Sequence, residues 1–379
     1  MMMQKRITPY YLIHSKKFNE NCSIVEEAFG NAWGGKVLYG YSVKTNHHPV
    51  LLNFARERGW LAEVVSYNEM CYVQKCGFGI GEVICNGPVK GAMLEEAVKK
   101  RYILNLDNMQ EIQDLCLYMK RGKIAVENLQ IGIRVNFHLE RECPGETTAG
   151  EDVSRFGICY ENGDMDKAMM LLRENKISVK GLHMHSSTKT RSLGIFSALS
   201  KKVVKLAEEF NLSLEYIDMG GGFFGGKVLP GKPLMKEYAN TIVNELKEKF
   251  DPDKVTLMIE PGASVLATAV DYVADVSNIR EVRGERIVTL NGTSLHINPF
   301  LSQRNPSFIM ENVDRNDITI PVQHICGCTC MEMDRFCSLY GEPEVRRESR
   351  FIFHDAGAYT MAFNSNFIVE PPLVYLEED

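Results

Sequence analysis

Across the first two-thirds of the chain, eight short apolar runs alternate with stretches whose apolar residues recur every three to four positions. The runs are "KVLYGYSV", "LAEVVS", "EVICN", "YILNLD", "QIGIRVN", "VKGLHMH", "LEYIDMG" and "TLMIE". Between them lie helical patterns such as "HPVLLNFARERG", "NEMCYVQKCG", "GAMLEEAVKK", "MQEIQDLCLYMKRG" and "SALSKKVVKLAEEFN". A helix between two strands brings the second strand back parallel to the first. Eight such strands over about 220 residues are what a (β/α)8 barrel requires, so the spacing predicts an α/β protein with that barrel.

After residue 268 the texture changes. "AVDYVADVSNIREV", "ERIVTLNGTS", "ITIPVQHICG" and "RFIFHDAGAYTM" read as strands joined by polar turns, without long helical patterns. This predicts a second, β-rich domain, of barrel or sandwich type. The opening "TPYYLIH" is an orphan strand expected to pair into it. The expected division is therefore a barrel over 15–267 and a β-rich domain made of 1–14 and 268–379.

The composition restricts function. A 45% hydrophobic and 24% charged chain of 379 residues is that of a globular protein. No apolar run reaches the ~18 residues of a membrane helix and no signal-peptide core opens the chain, which points to a cytoplasmic protein without a membrane partner. A net charge of −6 argues against a nucleic-acid footprint. Eleven cysteines spread over such a chain read as reduced thiols. The densest group, "CGCTC", lacks the spacing of a zinc site, so no metal is expected.

Barrel active sites form at the C-terminal ends of the strands. Here those ends offer Lys44, Ser66, Asn86, Asp107, Arg134, His185, the glycines of "MGGGFFG" and Glu260. A lysine ending an apolar strand either reaches water or, in a semi-apolar mouth, loses its proton and forms a Schiff base with an aldehyde. Gly220, Gly221 and Gly222 form either a tight turn or a set of open N–H groups for a phosphate. An amine and a phosphate cradle together suggest pyridoxal 5′-phosphate. Glu260, after an apolar strand, would then keep the pyridine nitrogen protonated, which suits decarboxylation. One histidine of "GLHMHSS" either lies against the ring, as His185, or is a core residue.

With these motifs in order, the chain resembles the fold-type III pyridoxal-phosphate decarboxylases, the group of the diaminopimelate, ornithine and arginine decarboxylases, and most the diaminopimelate branch. "YSVKTN" is similar to Y-A-x-K-A-N, which implies that Lys44 is the Schiff-base lysine. "AEVVSYNEM" is similar to D-V-V-S-x-G-E-L, "CNGPVK" to G-N-x-K, and "IRVNF" with "SRFGI" to R-V-N-P and K-F-G. "GLHMHSST" resembles G-L-H-x-H-I-G-S, placing His185 on the ring-stacking histidine and Thr188 on the phosphate. "IDMGGGF" resembles D-x-G-G-G-F, and "EPG" at Glu260 to Gly262 is the pyridine-nitrogen motif. "CTCMEMD" is similar to P-x-C-E-S-x-D, which implies a catalytic Cys330 and the family's aspartate at Asp334. "GAYTMAFNSNF" puts Tyr359 on a phosphate-contacting tyrosine. In that family the cysteine and tyrosine segments complete the neighbouring subunit's site, so the resemblance implies a homodimer with shared sites.

The departures gather at the contacts for substrate and phosphate. Ala263 follows "EPG" where the family usually has an arginine. Met331, with Glu332 next to it, stands where an acid holds the substrate's distal ammonium, and Asn298, before Pro299, stands where an arginine meets its carboxylate. The loop "STKTRSLGIF" adds Lys189 and Arg191, read either as a solvated loop or as a pocket for an anionic tail. The expectation is a decarboxylase of a small-molecule amino acid, a non-standard one or a conjugate before meso-diaminopimelate; diaminopimelate, ornithine or lysine decarboxylase proper is the alternative. A racemase is disfavoured because it gains from a weaker electron sink than Glu260 supplies. A non-catalytic paralogue is disfavoured by the presence of both Lys44 and Cys330.

Overall fold

A computed structural model describes residues 6–122, 129–150, 153–302, 305–313, 319–364 and 366–377. Its contacts divide the chain into two compact units, Asn21–Ser264, and Met1–Glu20 with Val265–Asp379. In chain order the strands of the first part are β1 (Tyr10–Ile13), β2 (Val37–Ser42), β3 (Leu61–Val64), β4 (Val83–Cys85), β5 (Ile103–Leu106), β6 (Gln130–Asn136), β7 (Ile158–Cys159), β8 (Gly181–His183), β9 (Tyr216–Asp218) and β10 (Thr256–Ile259). The helices are α1 (Ser15–Trp33), α2 (Pro49–Glu57), α3 (Tyr67–Lys75), α4 (Ala92–Lys99), α5 (Met109–Arg121), α6 (Leu139–Glu142), α7 (Asp164–Glu174), α8 (Leu193–Glu209), α9 (Met235–Leu246) and α10 (Ala263–Leu266). None of the described helices is long and apolar enough to cross a membrane.

The eight predicted runs are the eight strands of a closed parallel barrel. β2, β3, β4, β5, β6, β8, β9 and β10 pair in that order, and β10 returns to β2 with Leu257 opposite Val37. The two-residue β7 lies outside the ring, beside β6. Helices begin where the sequence supplies caps. Ser66 Oγ accepts from Glu69 N–H, and Asn108 Oδ1 from Glu111 N–H, each satisfying a donor that the first turn leaves open.

Because alternate residues of a strand face the same side, the barrel interior is built in layers. Leu61, Ile84, Ile103, Tyr216 and Met258, with Leu38 against them, form an apolar layer. Two residues further along the same strands come Glu63, Asn86, Asn105, Asp218 and Glu260, all buried. Gly132 and Gly181 make room for the Tyr216 ring. A Cβ at Gly132 would lie 2.3 Å from its hydroxyl, and one at Gly181 2.1 Å from its ring.

Lys90 and Glu111 form a buried ion pair in the barrel unit. Lys90 Nζ donates to Glu111 Oε2 at 2.9 Å and to the Gly87 carbonyl at 2.7 Å, and the same Glu111 oxygen accepts the Asp107 N–H. Burial pushes the Lys90 ammonium below its ordinary value, and Glu111 opposes that shift.

The second unit is a mixed sheet ordered β13 (Phe308–Glu311), β16 (Arg350–Phe353), β11 (Val270–Val282), β12 (Glu285–Leu290), β14 (Thr319–Cys326), β15 (Arg335–Pro343). The orphan strand β1 does pair here, antiparallel to β11 and parallel to β17 (Leu373–Leu376). Phe336 and Phe353 stack at 4.6 Å in its core. The contact division falls inside α1 and α10, at residues 20/21 and 264/265. The first turn of α1 continues straight from β1, with Phe18 N–H donating to the His14 carbonyl.

His14 closes this unit. Its ring nitrogens lie 3.0 Å from Asp271 and 2.7 Å from Glu377. The hydrogen bond from Asp271 raises the imidazole above its ordinary value, against burial and with help from Glu377. A raised folded-state value means that the pair stabilises fully below the unfolded value of about 6.5 and stops doing so as pH rises through the folded value. We expect the Tm difference between wild type and His14→Gln to be largest in mild acid and to shrink toward alkaline pH. A difference independent of pH would refute the ion pair.

Candidate active site

The parallel strands bring Lys44, His185, Gly220–Gly222 and Glu260 to one end of the barrel, as the sequence implied. Lys44 lies within the turn after β2, and its Nζ pairs with Glu63 Oε2. The same carboxylate accepts from Ser42 Oγ at 2.7 Å and from Asn86 Nδ2 at 3.2 Å. Asn86 Nδ2 also donates to Glu260 Oε1 at 2.7 Å. Asn105 Nδ2 donates to Asn86 Oδ1 at 2.9 Å and lies 3.2 Å from Asp218 Oδ2, while Tyr216 OH donates to Asn105 Oδ1. His183 Nε2 lies 3.6 Å from Glu260 Oε2. A buried carboxylate left without donors costs about 1–3 kcal/mol or more, and this layer leaves neither Glu63 nor Glu260 in that state.

His183, Asp218 and Glu260 crowd together, with one ligating atom of each within 4.8 Å of the others. Burial pushes the Glu260 carboxyl up, but His183 and Lys44 outweigh it and hold Glu260 below the ordinary carboxylate value. Burial, then the charge of Glu260, push Asp218 well above its own. The two carboxyls are thus pushed in opposite directions. Burial lowers His183 despite the pull of Glu260.

The His185 ring lies nearly parallel to that of His183, 12° apart in plane. Burial, followed by the charges of Arg134 and Lys44, lowers it to about 3. It offers a neutral, planar face at any pH near 7. Its Nδ1 accepts from Gly221 N–H at 3.3 Å. A Cβ at Gly220 would sit 2.6 Å from His185 Cβ, and one at Gly221 2.3 Å from the Glu260 carbonyl. At Gly222, with φ +99°, a Cβ would meet nothing within 4 Å. The first two glycines allow close approach, and the third leaves backbone open. Gly262 approaches Thr45 in the same way, at 2.7 Å from its hydroxyl.

Other strand-end residues have structural partners. Ser66 caps α3. Arg134 pairs with Asp107 at 3.2 Å and donates to the His185 carbonyl at 3.3 Å. Thr188 forms a β-bridge with Thr147, and Lys189 N–H donates to the Glu146 carbonyl. The Arg191 guanidinium lies over the Phe224 ring at 5.1 Å and donates to the Phe223 carbonyl. It covers the aromatic pair that follows the glycines, which is neither a purely solvated loop nor an open anion pocket.

The remaining candidates belong to the β-rich unit. Cys330 and Tyr359 are exposed. Glu332 is fully exposed and lies 3.7 Å from Arg335. Asn298 Oδ1 accepts from Ser302 N–H in its own turn, and Met331 is half-buried.

Asp334 needs correction as a substrate contact. Its Oδ1 accepts from the N–H and hydroxyl of Ser294, and its Oδ2 from those of Thr329. Burial would raise this carboxyl, but the bonds from Thr329 and Ser294 hold it below its ordinary value. The residue is the knot of the Cys330 loop. Asp334→Ala is expected to cost about 2–4 kcal/mol by orphaning four donors. Chemical denaturation would measure this, and a loss below ~1 kcal/mol would contradict it.

Sequence reasoning assigned no role to Glu63, Asn105, His183 or Asp218, and none beyond position to Asn86. The available signal was a polar residue within each apolar run, "LAEVV", "YILNL" and "EYID", at the spacing that faces the barrel interior.

A closed parallel barrel with a lysine, a buried carboxylate, an imidazole face and an open glycine backbone at one mouth defines a class of protein, the barrel-type pyridoxal-phosphate enzymes. The donor set and the glycine cradle fit that cofactor. Residues 15–267 match the family model of the pyridoxal-dependent decarboxylase pyridoxal-binding domain, and the chain belongs to that family. It is a pyridoxal 5′-phosphate-dependent amino-acid decarboxylase. Similar curated proteins include diaminopimelate decarboxylases of Bacillus subtilis, 26% identical over 99% of this chain and 88% of the relative, and of Aquifex aeolicus, 27% identical over 96% and 85%. The crystal structure of Helicobacter pylori diaminopimelate decarboxylase complexed with L-lysine shares the fold, with a TM-score of 0.81 at 21% identity over 100% of this chain and 93% of that one.

Proposed function

We propose that the chain removes the α-carboxyl group of an amino acid as CO2, with Lys44 as the covalent anchor of the cofactor and Glu260 facing its ring nitrogen. When bound, pyridoxal phosphate supplies an electron-withdrawing ring for the electron pair left at the α-carbon. Glu260 holds a proton at the ring nitrogen, and that requires the carboxylate to stay ionised while buried. The observation that carries the reading is the convergence at one end of the barrel of the Lys44 amine paired with Glu63, the His185 ring, the open glycine backbone and the Glu260 carboxylate held by Asn86 Nδ2. His185 supports the ring face. Gly220, Gly221, Gly222, Gly262 and Thr188 hold the phosphate from the barrel, with Tyr359 as a further contact.

On this reading the chain works as a homodimer in which Cys330 and Tyr359 complete the partner's site. The β-rich unit presents exposed Phe300, Phe363, Phe367 and Ile368 near Tyr359 in sequence or by ring contact, an apolar set suited to an interface. Co-expression of Lys44→Ala and Cys330→Ala chains should restore part of the activity, because one site of each mixed dimer is intact. Mixed dimers without activity would rule out shared sites.

The substrate is an α-amino acid with a polar tail. The names of the relatives above put meso-diaminopimelate first. A second reading rests on Met331 and Asn298, which offer neither an acid to a distal ammonium nor a cation to a distal carboxylate; it takes a larger conjugate whose tail relies on neither contact. CO2 release from meso-diaminopimelate, lysine, ornithine and carboxylate conjugates separates the two. A specificity constant above roughly 10⁴ M⁻¹s⁻¹ for meso-diaminopimelate supports the first, and activity on conjugates alone supports the second.

A further inference from the structure

One amide spans both working ends of the barrel site. Asn86 Nδ2 donates to Glu63 Oε1, the counter-charge of Lys44, and to Glu260 Oε1. An amide NH2 has two protons, so both are used, one on each carboxylate. The orientation of Asn86 is set from behind. Tyr216 OH donates to Asn105 Oδ1, which aims Asn105 Nδ2 at Asn86 Oδ1. A flipped Asn86 would turn its carbonyl toward two carboxylates and its NH2 toward another NH2, so the network admits one direction only.

We propose that Asn86 is a positioning residue that couples the lysine end of the site to its carboxylate end. It fixes Glu63 and Glu260 with one dipole, so that the charge at either end is felt at the other. The inference rests on the assignment of Lys44 and Glu260 made above. The charged and titratable groups around this layer include Lys44 from the turn after β2, Glu63 from β3, Glu69 from α3, Cys85 from β4, Arg134 from β6, His183 and His185 from β8 and its loop, Tyr216 and Asp218 from β9, and Glu260 just after β10. Of these, only Glu63 and Glu260 share a donor in Asn86.

The test uses the holoenzyme without substrate and follows the visible absorbance of bound cofactor against pH. Asn86→Asp keeps the shape but replaces the NH2 with an acceptor. Asn86→Ser keeps one donor, which serves only one carboxylate at a time. We expect both to move the titration midpoint by about one pH unit or more, a tenfold change in proton affinity, with Asp moving it further than Ser. A merely structural role would lower Tm and leave the midpoint in place, so unchanged midpoints in the variant that folds would overturn the proposal. Lys44→Ala serves as the control. A normal band persisting there would overturn the site assignment and this inference together, whereas a lost band with unmoved Asn86 midpoints sinks the inference alone.

Discussion

Lys44→Ala is expected to bind cofactor without a covalent link and to lose turnover by about 10³-fold or more, the scale of removing a covalent or acid–base group. The barrel mouth offers the reason. Lys44 is held by Glu63, itself buried and fixed by Ser42 and Asn86, so its amine has a defined place. Lys90 is committed to Glu111 inside the unit and cannot substitute without stranding that carboxylate. Borohydride reduction of wild type followed by peptide mass spectrometry should find the cofactor on Lys44. Label on any other lysine would sink the assignment.

Glu260→Gln should keep the cofactor bound and slow decarboxylation by about 10²–10³-fold. Glutamine has nearly the volume of glutamate, and its carbonyl can still accept from Asn86 Nδ2, so packing and that bond survive. The negative charge does not. With it goes the ability to hold a proton on the ring nitrogen, and a charge that, after burial, pushes the Asp218 carboxyl up. A kcat within threefold of wild type, about 0.65 kcal/mol in barrier, would mean that another group serves the ring nitrogen.

How far the sequence alone reveals this protein depends on which way each residue faces. The barrel was legible because its strands are buried on both faces and read as short, mainly apolar runs, each followed by a helical period. The mouth was legible because Lys44, His185 and Glu260 lie just beyond strands whose ends must converge. β13, β15 and β17 were not. β15, "RFCSLYGEP", is an edge strand with much of its length exposed, so it shows neither alternation nor an apolar run. Asp334 was misleading for another reason. Motif position places a carboxylate on a loop but says nothing of its acceptors, and Ser294, forty residues away, supplies two of the donors that occupy it. The interior layer of Glu63, Asn105 and Asp218 needed strand register to be seen as one object.

The pair of Lys90 and Glu111 restricts how the chain can drift. Loss of either partner leaves a buried charge uncompensated, at a cost of about 3–5 kcal/mol, whereas replacement of both by apolar residues of similar volume is often neutral or better. Asp107 N–H shares the same carboxylate oxygen, so the apolar replacement must also provide for that donor. The two positions are thus separated from alternative sequences by a valley that single substitutions enter and only paired substitutions cross.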